Sequence, residues 1–364
     1  MTDTAFGTFF LPGPTEVRAS ILRAMLGPML PHRSPEFEAI YARIQVGLKP
    51  VLRTSRPVYV LAASATGLME AAVRATPPGP VLCCVNGAFS SRFSEITKST
   101  GHDAEVYEVE WGQTFALEEV ERRLKSRQFV AVTVVHSETT TGVLSDVRAI
   151  GELAHRYGAP ILVDSVTGCG GAPLETDAWG LDFMLTGSQK AFALPPGLAF
   201  GVASESFLEL AKSAPVRGRY LDIVELDQWA LKNQTPATPA LSLMYALDTQ
   251  VTDIHREGID ARWARHHAMM RMTHDWVAAM GAEGTPLGIL AVEGYRSPTV
   301  TVVTLPTGIT GPRVVAGLKT RGFVIASGYG KLKDTTVRIG HMGDHDTTGL
   351  ANCLAALRDV IRGA

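Results

Sequence analysis

Residues 160–197 read PILVDSVTGCGGAPLETDAWGLDFMLTGSQKAFALPPG, and two features of this stretch decide the fold. The runs at 160–164 and 182–185 are apolar at nearly every position, which suits strands covered on both faces. Each run ends abruptly in small and polar residues, Asp164-Ser165-Val166-Thr167-Gly168 after the first and Thr186-Gly187-Ser188-Gln189-Lys190 after the second. Working outward, further short runs rich in Val, Ile and Leu occur at 58–62, 81–85, 104–109, 129–135 and 198–203. They alternate with helix-length segments up to residue 160 and run closer together beyond it. Among those segments, DVRAIGELAHRY at 146–157 places Val147, Ile150, Leu153 and Ala154 on one helical face. It begins at an Asp able to cap the first turn and is followed by Gly158 as a stop. The expected fold is α/β, a mostly parallel seven-stranded sheet sandwiched by helices.

After Pro236 and Pro239 the pattern changes to PALSLMYALDTQV and a long amphipathic stretch reaching about 280, expected to be a connecting helical segment. Beyond it, 299–304, 312–320, 323–326, 335–339 and 346–361 read as strand, helix, strand, strand, helix. That is a smaller C-terminal α+β domain. The expected division is an N-terminal segment 1–15, a large domain 16–255 and a small domain 256–364, with the first segment over the site or against a neighbouring subunit.

Composition narrows the function. Lys and Arg total 34 against 36 Asp and Glu, a formal charge of -2 that offers no field to draw in nucleic acid or an anionic membrane. A small-molecule partner is expected instead. Cys83, Cys84, Cys169 and Cys353 form no CxxC pair and read as buried thiols of a cytoplasmic protein. No basic-then-apolar leader and no membrane-length apolar run is evident. His341 and His345 have helical metal-pair spacing, but Gly343 lies between them and no third ligand is evident, so no metal site is expected.

Ligands of an open α/β sheet bind outside the carboxyl ends of its strands, and the polar clusters fall there. Ser64-Ala65-Thr66-Gly67 follows 58–62 and opens a helix, where backbone N–H groups and the helix dipole favour a phosphate; an ordinary turn would read the same way. Asp164 ends an apolar strand and needs a cationic partner. A protonated ring nitrogen, a helix N-terminus or an arginine would each serve. Lys190 precedes the apolar loop AFALPPG, which desolvates the amine and lowers its pKa towards a nucleophilic free base. Phe89 follows the run at 81–85 and is placed either to stack on a flat ring or to fill core. Arg338 alternates with apolar neighbours on a late strand, suited to a substrate carboxylate or to a salt bridge.

Taken in order, LPGPTEV at 11–17, HRSPEF at 32–37, VNGAFSSR at 85–92, HSETTTGVL at 136–144, LVDSVTGCGG at 162–171, GSQKAFALPPG at 187–197, TPALSLMYAL at 238–247 and RIGHMG at 338–343 span nearly the whole chain. Together they resemble the class V, fold-type I pyridoxal-phosphate aminotransferases, in the alanine/serine:glyoxylate (pyruvate) branch. The resemblance implies pyridoxal 5'-phosphate as cofactor, with Lys190 bonded to its aldehyde and Asp164 paired with its ring nitrogen. It implies Phe89 stacked on the ring, Thr139 at the ring hydroxyl, Ser64, Ala65, Thr66 and Gln189 around the phosphate, and Val166 among the cofactor-binding residues. Thr238 would reach the phosphate of a partner subunit in a homodimer with shared sites, and Arg338 would bind the substrate carboxylate. Two departures are visible: the phosphate turn reads Ala-Ser-Ala-Thr, and Thr235 stands where relatives often carry tyrosine.

The implied reaction is a two-step amino transfer from alanine or serine to glyoxylate or pyruvate. Aminoethylphosphonate:pyruvate and pyridoxamine:pyruvate transfer are the alternatives, since HSETTTG with LAHRYG and RIGHMG respectively resemble those branches as well. A nicotinamide-binding fold is not indicated, because no GxGxxG follows the first strand.

Overall fold

The computed structural model of the chain describes residues 7–363. Seven strands form the large sheet: β1 (Tyr59–Leu61), β2 (Pro80–Val85), β3 (Asp103–Glu108), β4 (Ala131–Val135), β5 (Ile161–Asp164), β6 (Phe183–Gly187) and β7 (Ala199–Ala203). Their order across the sheet is β1-β7-β6-β5-β4-β2-β3. Neighbours from β6 to β3 are parallel, while β7 runs antiparallel to both β1 and β6. Every residue of β4, β5, β6 and β7 is buried, as unbroken apolar runs demand. Edge strand β3 buries only Tyr107. The class and the mostly parallel sheet expected from the sequence are what the structure has.

The helices that matter for the site are α1 (Pro35–Leu52), α2 (Ala65–Arg74), α3 (Ala88–Ser99), α4 (Val147–Arg156), α5 (Leu241–Glu257), α6 (Ile259–Ala282), α7 (Gly311–Lys319) and α8 (Thr347–Arg362). At α4 the Asp146 side chain accepts the Ala149 N–H at 3.0 Å, and Gly158 stops the chain at a φ of 75°. The stretch expected to be one connecting segment is two helices, because Gly258 breaks it at a φ of 83°, a conformation that L side chains resist.

A second, antiparallel sheet follows, with β8 (Gly288–Ile289), β9 (Val300–Thr304), β10 (Ala326–Ser327) and β11 (Thr336–Gly340) in the order β8-β9-β11-β10. The expected strand 323–326 is split. Phe323–Val324 pairs in parallel with Thr8–Phe9, and only Ala326–Ser327 joins β11. One apolar cluster fills the large sheet's layers and extends to Ile259 and Trp263, and a second joins Phe10 and Met269 to residues of β11, α7 and α8. Residues 1–6 of the expected N-terminal segment lie outside the described residues. Among the described residues no helix is long and apolar enough to cross a membrane.

Candidate active site

Parallel strands β5 and β6 end side by side and deliver Asp164 and Lys190 to the same rim of the sheet. The Asp164 carboxylate is 2% exposed, and its one hydrogen bond among the described residues comes from the Val166 N–H at 2.7 Å. Burial, helped by the Glu138 charge, pushes its carboxyl up to about 7, although the Val166 N–H pulls the other way. Lys190 is 7% exposed, and its Nζ donates to the Pro12 carbonyl. Burial, assisted by the neighbouring Arg338 guanidinium, lowers the amine to about 8. The apolar loop that follows accounts for this, since Ala191, Phe192, Ala193 and Leu194 are all buried.

Ser64 caps α2, its Oγ accepting the Thr66 N–H at 3.2 Å, so the helix N-terminus opens towards the same rim. Phe89 sits in the first turn of α3 with its ring centroid 5.9 Å from the Lys190 Nζ. That turn is held by Glu138, a residue with no role in the sequence reading. The buried Glu138 carboxylate accepts the Phe89 N–H at 3.2 Å, the Ser90 N–H and Oγ–H each at 3.0 Å, and the Thr140 N–H at 3.0 Å. An anion at a helix N-terminus is favoured by the dipole. Gly87 leaves the room for it, since a Cβ there would stand 2.5 Å from the Glu138 Cδ.

Ser64, Ala65, Thr66, Phe89, Thr139, Asp164, Val166, Gln189 and Lys190 line one cleft of about 310 Å³. Thr139 Oγ1 lies 2.5 Å from Thr167 Oγ1. Gly13 and Pro14 lie over the cleft, and Arg92 also lines it, its guanidinium carbon 4.9 Å from the Phe89 ring centroid. Glu138 stands inside HSETTTG and Arg92 inside VNGAFSSR, so both were in view; what the sequence did not show was the pairing of Glu138 with Phe89 and Ser90, about fifty residues away. Arg338 does not line the cleft itself. It lies beside it on β11, its Nε donating to the Ser327 carbonyl at 3.0 Å and its guanidinium carbon 5.6 Å from the Tyr329 ring centroid. The Tyr329 ring is in turn 6.1 Å from that of Phe89. Thr238 is apart from the cleft, in a depression shared with Met29, Leu30 and His32.

A larger cleft of about 510 Å³ opens at the opposite rim among Arg56, His155, Asp177 and Asp182, but it contains neither Lys190 nor Asp164. Size therefore does not mark the chemistry. Among the described residues, no three His, Cys, Asp or Glu side chains come together as metal ligands would. What the smaller cleft offers is an under-bonded buried carboxylate, a desolvated amine, an aromatic face and a capped helix N-terminus. These fit a flat heterocycle that has a basic ring nitrogen, an aldehyde and a phosphate tail.

Comparison with known proteins agrees. The family described as "Aminotransferase class-V" matches residues 77–330. A protein of Synechococcus sp. named "Soluble hydrogenase, small subunit" is 36% identical over 367 residues, covering 98% of this chain and 94% of that protein. The serine–glyoxylate aminotransferase of Methylorubrum extorquens is 31% identical over 360 residues, covering 95% of this chain and 89% of that one. The crystal structure of an alanine–glyoxylate aminotransferase from Nostoc sp. superposes with a TM-score of 0.92 at 30% identity, covering 99% of this chain and 96% of that chain.

Proposed function

The chain belongs to the class-V aminotransferases, and from that premise we propose that it binds pyridoxal 5'-phosphate at Lys190 and Asp164 and moves an amino group from alanine or serine to glyoxylate or pyruvate. The observation that carries this reading is the pairing of a buried amine with a buried, singly bonded carboxylate in one cleft. Neither group is stable there without a partner of complementary chemistry.

Bound pyridoxal phosphate supplies an aldehyde that condenses with amines and a ring that holds an electron pair. The chain's own groups do the rest. Asp164 provides the negative charge that keeps a proton on the ring nitrogen. Phe89 and Val166 would pack against the ring, Thr139 would meet its hydroxyl, and Ser64, Ala65 and Thr66 at the start of α2, with Gln189, would hold the phosphate. Lys190, with its amine lowered to about 8, has a neutral fraction at working pH and carries the proton taken from the substrate α-carbon. Arg338 binds the α-carboxylate and so orients the bond to be broken.

The proposal includes a homodimer. Leu26 and Met29 are 84% and 71% exposed, an apolar surface that adjoins the depression holding Thr238, where a partner's phosphate would be reached. A cytoplasmic location is part of the same reading, supported by four buried free cysteines. So is the division near residue 255, supported by two separate apolar clusters and by the break at Gly258.

The test is a panel of donors in single half-reactions, following conversion of the aldehyde cofactor to its amine form. Alanine or serine should convert fastest, with aminoethylphosphonate and pyridoxamine inert. The reverse ranking moves the assignment to one of those two donors. Borohydride reduction should fix the cofactor on Lys190; protein that stays colourless with pyridoxal phosphate and takes no label refutes the reading.

A further inference from the structure

The backbone just after Lys190 is held by a polar cluster that none of the roles above uses. Arg262, 2% exposed on α6, donates through Nη2 both to the Ala191 carbonyl at 2.7 Å and to Asp344 Oδ1 at 2.9 Å. Gln250, buried on α5, donates through Nε2 both to the Phe192 carbonyl at 2.8 Å and to the Asp344 carboxylate at 3.1 Å. One nitrogen from each helix is thus shared between the lysine loop and a single carboxylate. Asp344 lies in the segment that continues β11 past Arg338. Its neighbour Gly343 is tied down too, the N–H donating to His266 Nε2 at 3.1 Å. Arg18 completes the cluster, with its Nε 2.6 Å from Asp344 Oδ2 and its Nη2 2.7 Å from Gln250 Oε1. Glu257 accepts from Arg262 Nη1 at 2.7 Å.

Buried ion pairs are weak sources of net stability, because desolvation offsets most of the attraction. Their geometric effect is not offset. A planar guanidinium with three fixed acceptors, beside an amide NH₂ with two more, allows the loop backbone one position. That position sets where a long, flexible lysine stem begins.

We propose that Arg262, Gln250 and Asp344 are positioning residues that fix the backbone at Ala191 and Phe192, and so register the Lys190 amine against the strand that presents Arg338. The lysine that carries the proton and the arginine that holds the carboxylate then move as one body, although they come from different units of the fold. The inference rests on the roles proposed above for Lys190 and Arg338, and it does not depend on which donor is used.

The test uses whole protein and two variants: Gln250→Leu, nearly equal in volume, and Asp344→Asn, nearly equal in shape. Urea denaturation first establishes that each is folded; should Asp344→Asn fail, Gln250→Leu carries the test. In cofactor-free protein, acetylation of Lys190 by acetic anhydride is followed against pH by mass spectrometry. The wild-type midpoint should lie at about 8, where burial places it. Freeing the loop admits water, so the variant midpoints should rise by roughly half a unit or more towards the ordinary lysine value. In loaded enzyme, the half-reaction with the preferred donor should slow about tenfold at saturation while KM changes less than about threefold, as misplacement of a reacting group predicts. A wild-type midpoint and rate in both folded variants, or a change in KM alone, overturns the inference. Wild-type protein that forms no cofactor bond at Lys190 refutes the proposed function, while the acetylation midpoints still report on the loop.

Discussion

Glu138→Gln asks whether the first turn of α3 depends on a carboxylate. Four donors converge on it, and the geometry fixes which one an amide must lose. Oε2 receives Ser90 N–H, Ser90 Oγ–H and Phe89 N–H at 3.0, 3.0 and 3.2 Å, whereas Oε1 has one good donor, Thr140 N–H at 3.0 Å. The best Gln orientation keeps its oxygen at the crowded position and turns its NH₂ towards Thr140, which is fully buried. One hydrogen bond to a charged group disappears, worth about 1.5–3 kcal/mol, and an unsatisfied buried N–H remains, costing about 1–3 kcal/mol. Loss of the anion at the helix N-terminus adds about 0.3–1 kcal/mol. The expected destabilisation is therefore roughly 3–7 kcal/mol, read by urea denaturation of cofactor-free protein. Because Phe89 shares this turn, the cofactor's dissociation constant should rise as well, followed by its absorbance. A stability loss below about 1 kcal/mol would refute the geometric reasoning.

Three further outcomes are expected. The folded-state carboxyl of Asp164 near 7 lies above its ordinary 3.8, so cofactor-free protein holds the extra proton more tightly than the unfolded chain does. That stabilisation is full below about pH 4 and lost as pH rises to about 7, up to roughly 4 kcal/mol by linkage; the wild type should lose stability relative to Asp164→Asn across this window, and a parallel pair of profiles in urea denaturation argues against it. Gly340→Ala puts a Cβ against the Leu11 carbonyl and 2.5 Å from the Pro12 nitrogen, both backbone atoms. Overpacking there should cost about 1–3 kcal/mol and, by shifting Pro12 off the amine, speed Lys190 acetylation; wild-type stability and labelling would contradict this. Arg338→Ala should raise KM for α-carboxylate donors about 10–100-fold, the equivalent of one charge-assisted contact, and an unchanged KM removes its assigned role.

The inner strands were legible because burial on both faces forces unbroken apolar runs, and β4 to β7 are buried at every residue. The meeting of Asp164 and Lys190 at one rim was legible because Asp164 closes one such run and Lys190 follows another after four small or polar residues. The Glu138 and Asp344 clusters were not, since a carboxylate in HSETTTG or RIGHMGD shows its charge but not the distant N–H groups that it meets. The split at 323–326 was hidden for a similar reason: its first half pairs with Thr8–Phe9, more than three hundred residues earlier. Gly258 was visible, but a glycine within an amphipathic stretch does not declare whether the helix tolerates it or stops.

The reversed direction of β7 decides how the lysine is mounted. A parallel successor to β6 would have required the chain to leave this rim and cross the sheet before returning. Instead Ala199 pairs with Gly187, and Ser188 N–H closes onto the Leu198 carbonyl at 3.0 Å, so the segment bearing Lys190 is a short arch with both feet on the same ledge. An arch pinned at each foot cannot swing as a whole, and with its crown held at Ala191 and Phe192 the amine's freedom is left to the four-carbon stem. Under the role proposed for Lys190, turnover at such a mounting would require rotation about single bonds and no melting of main chain.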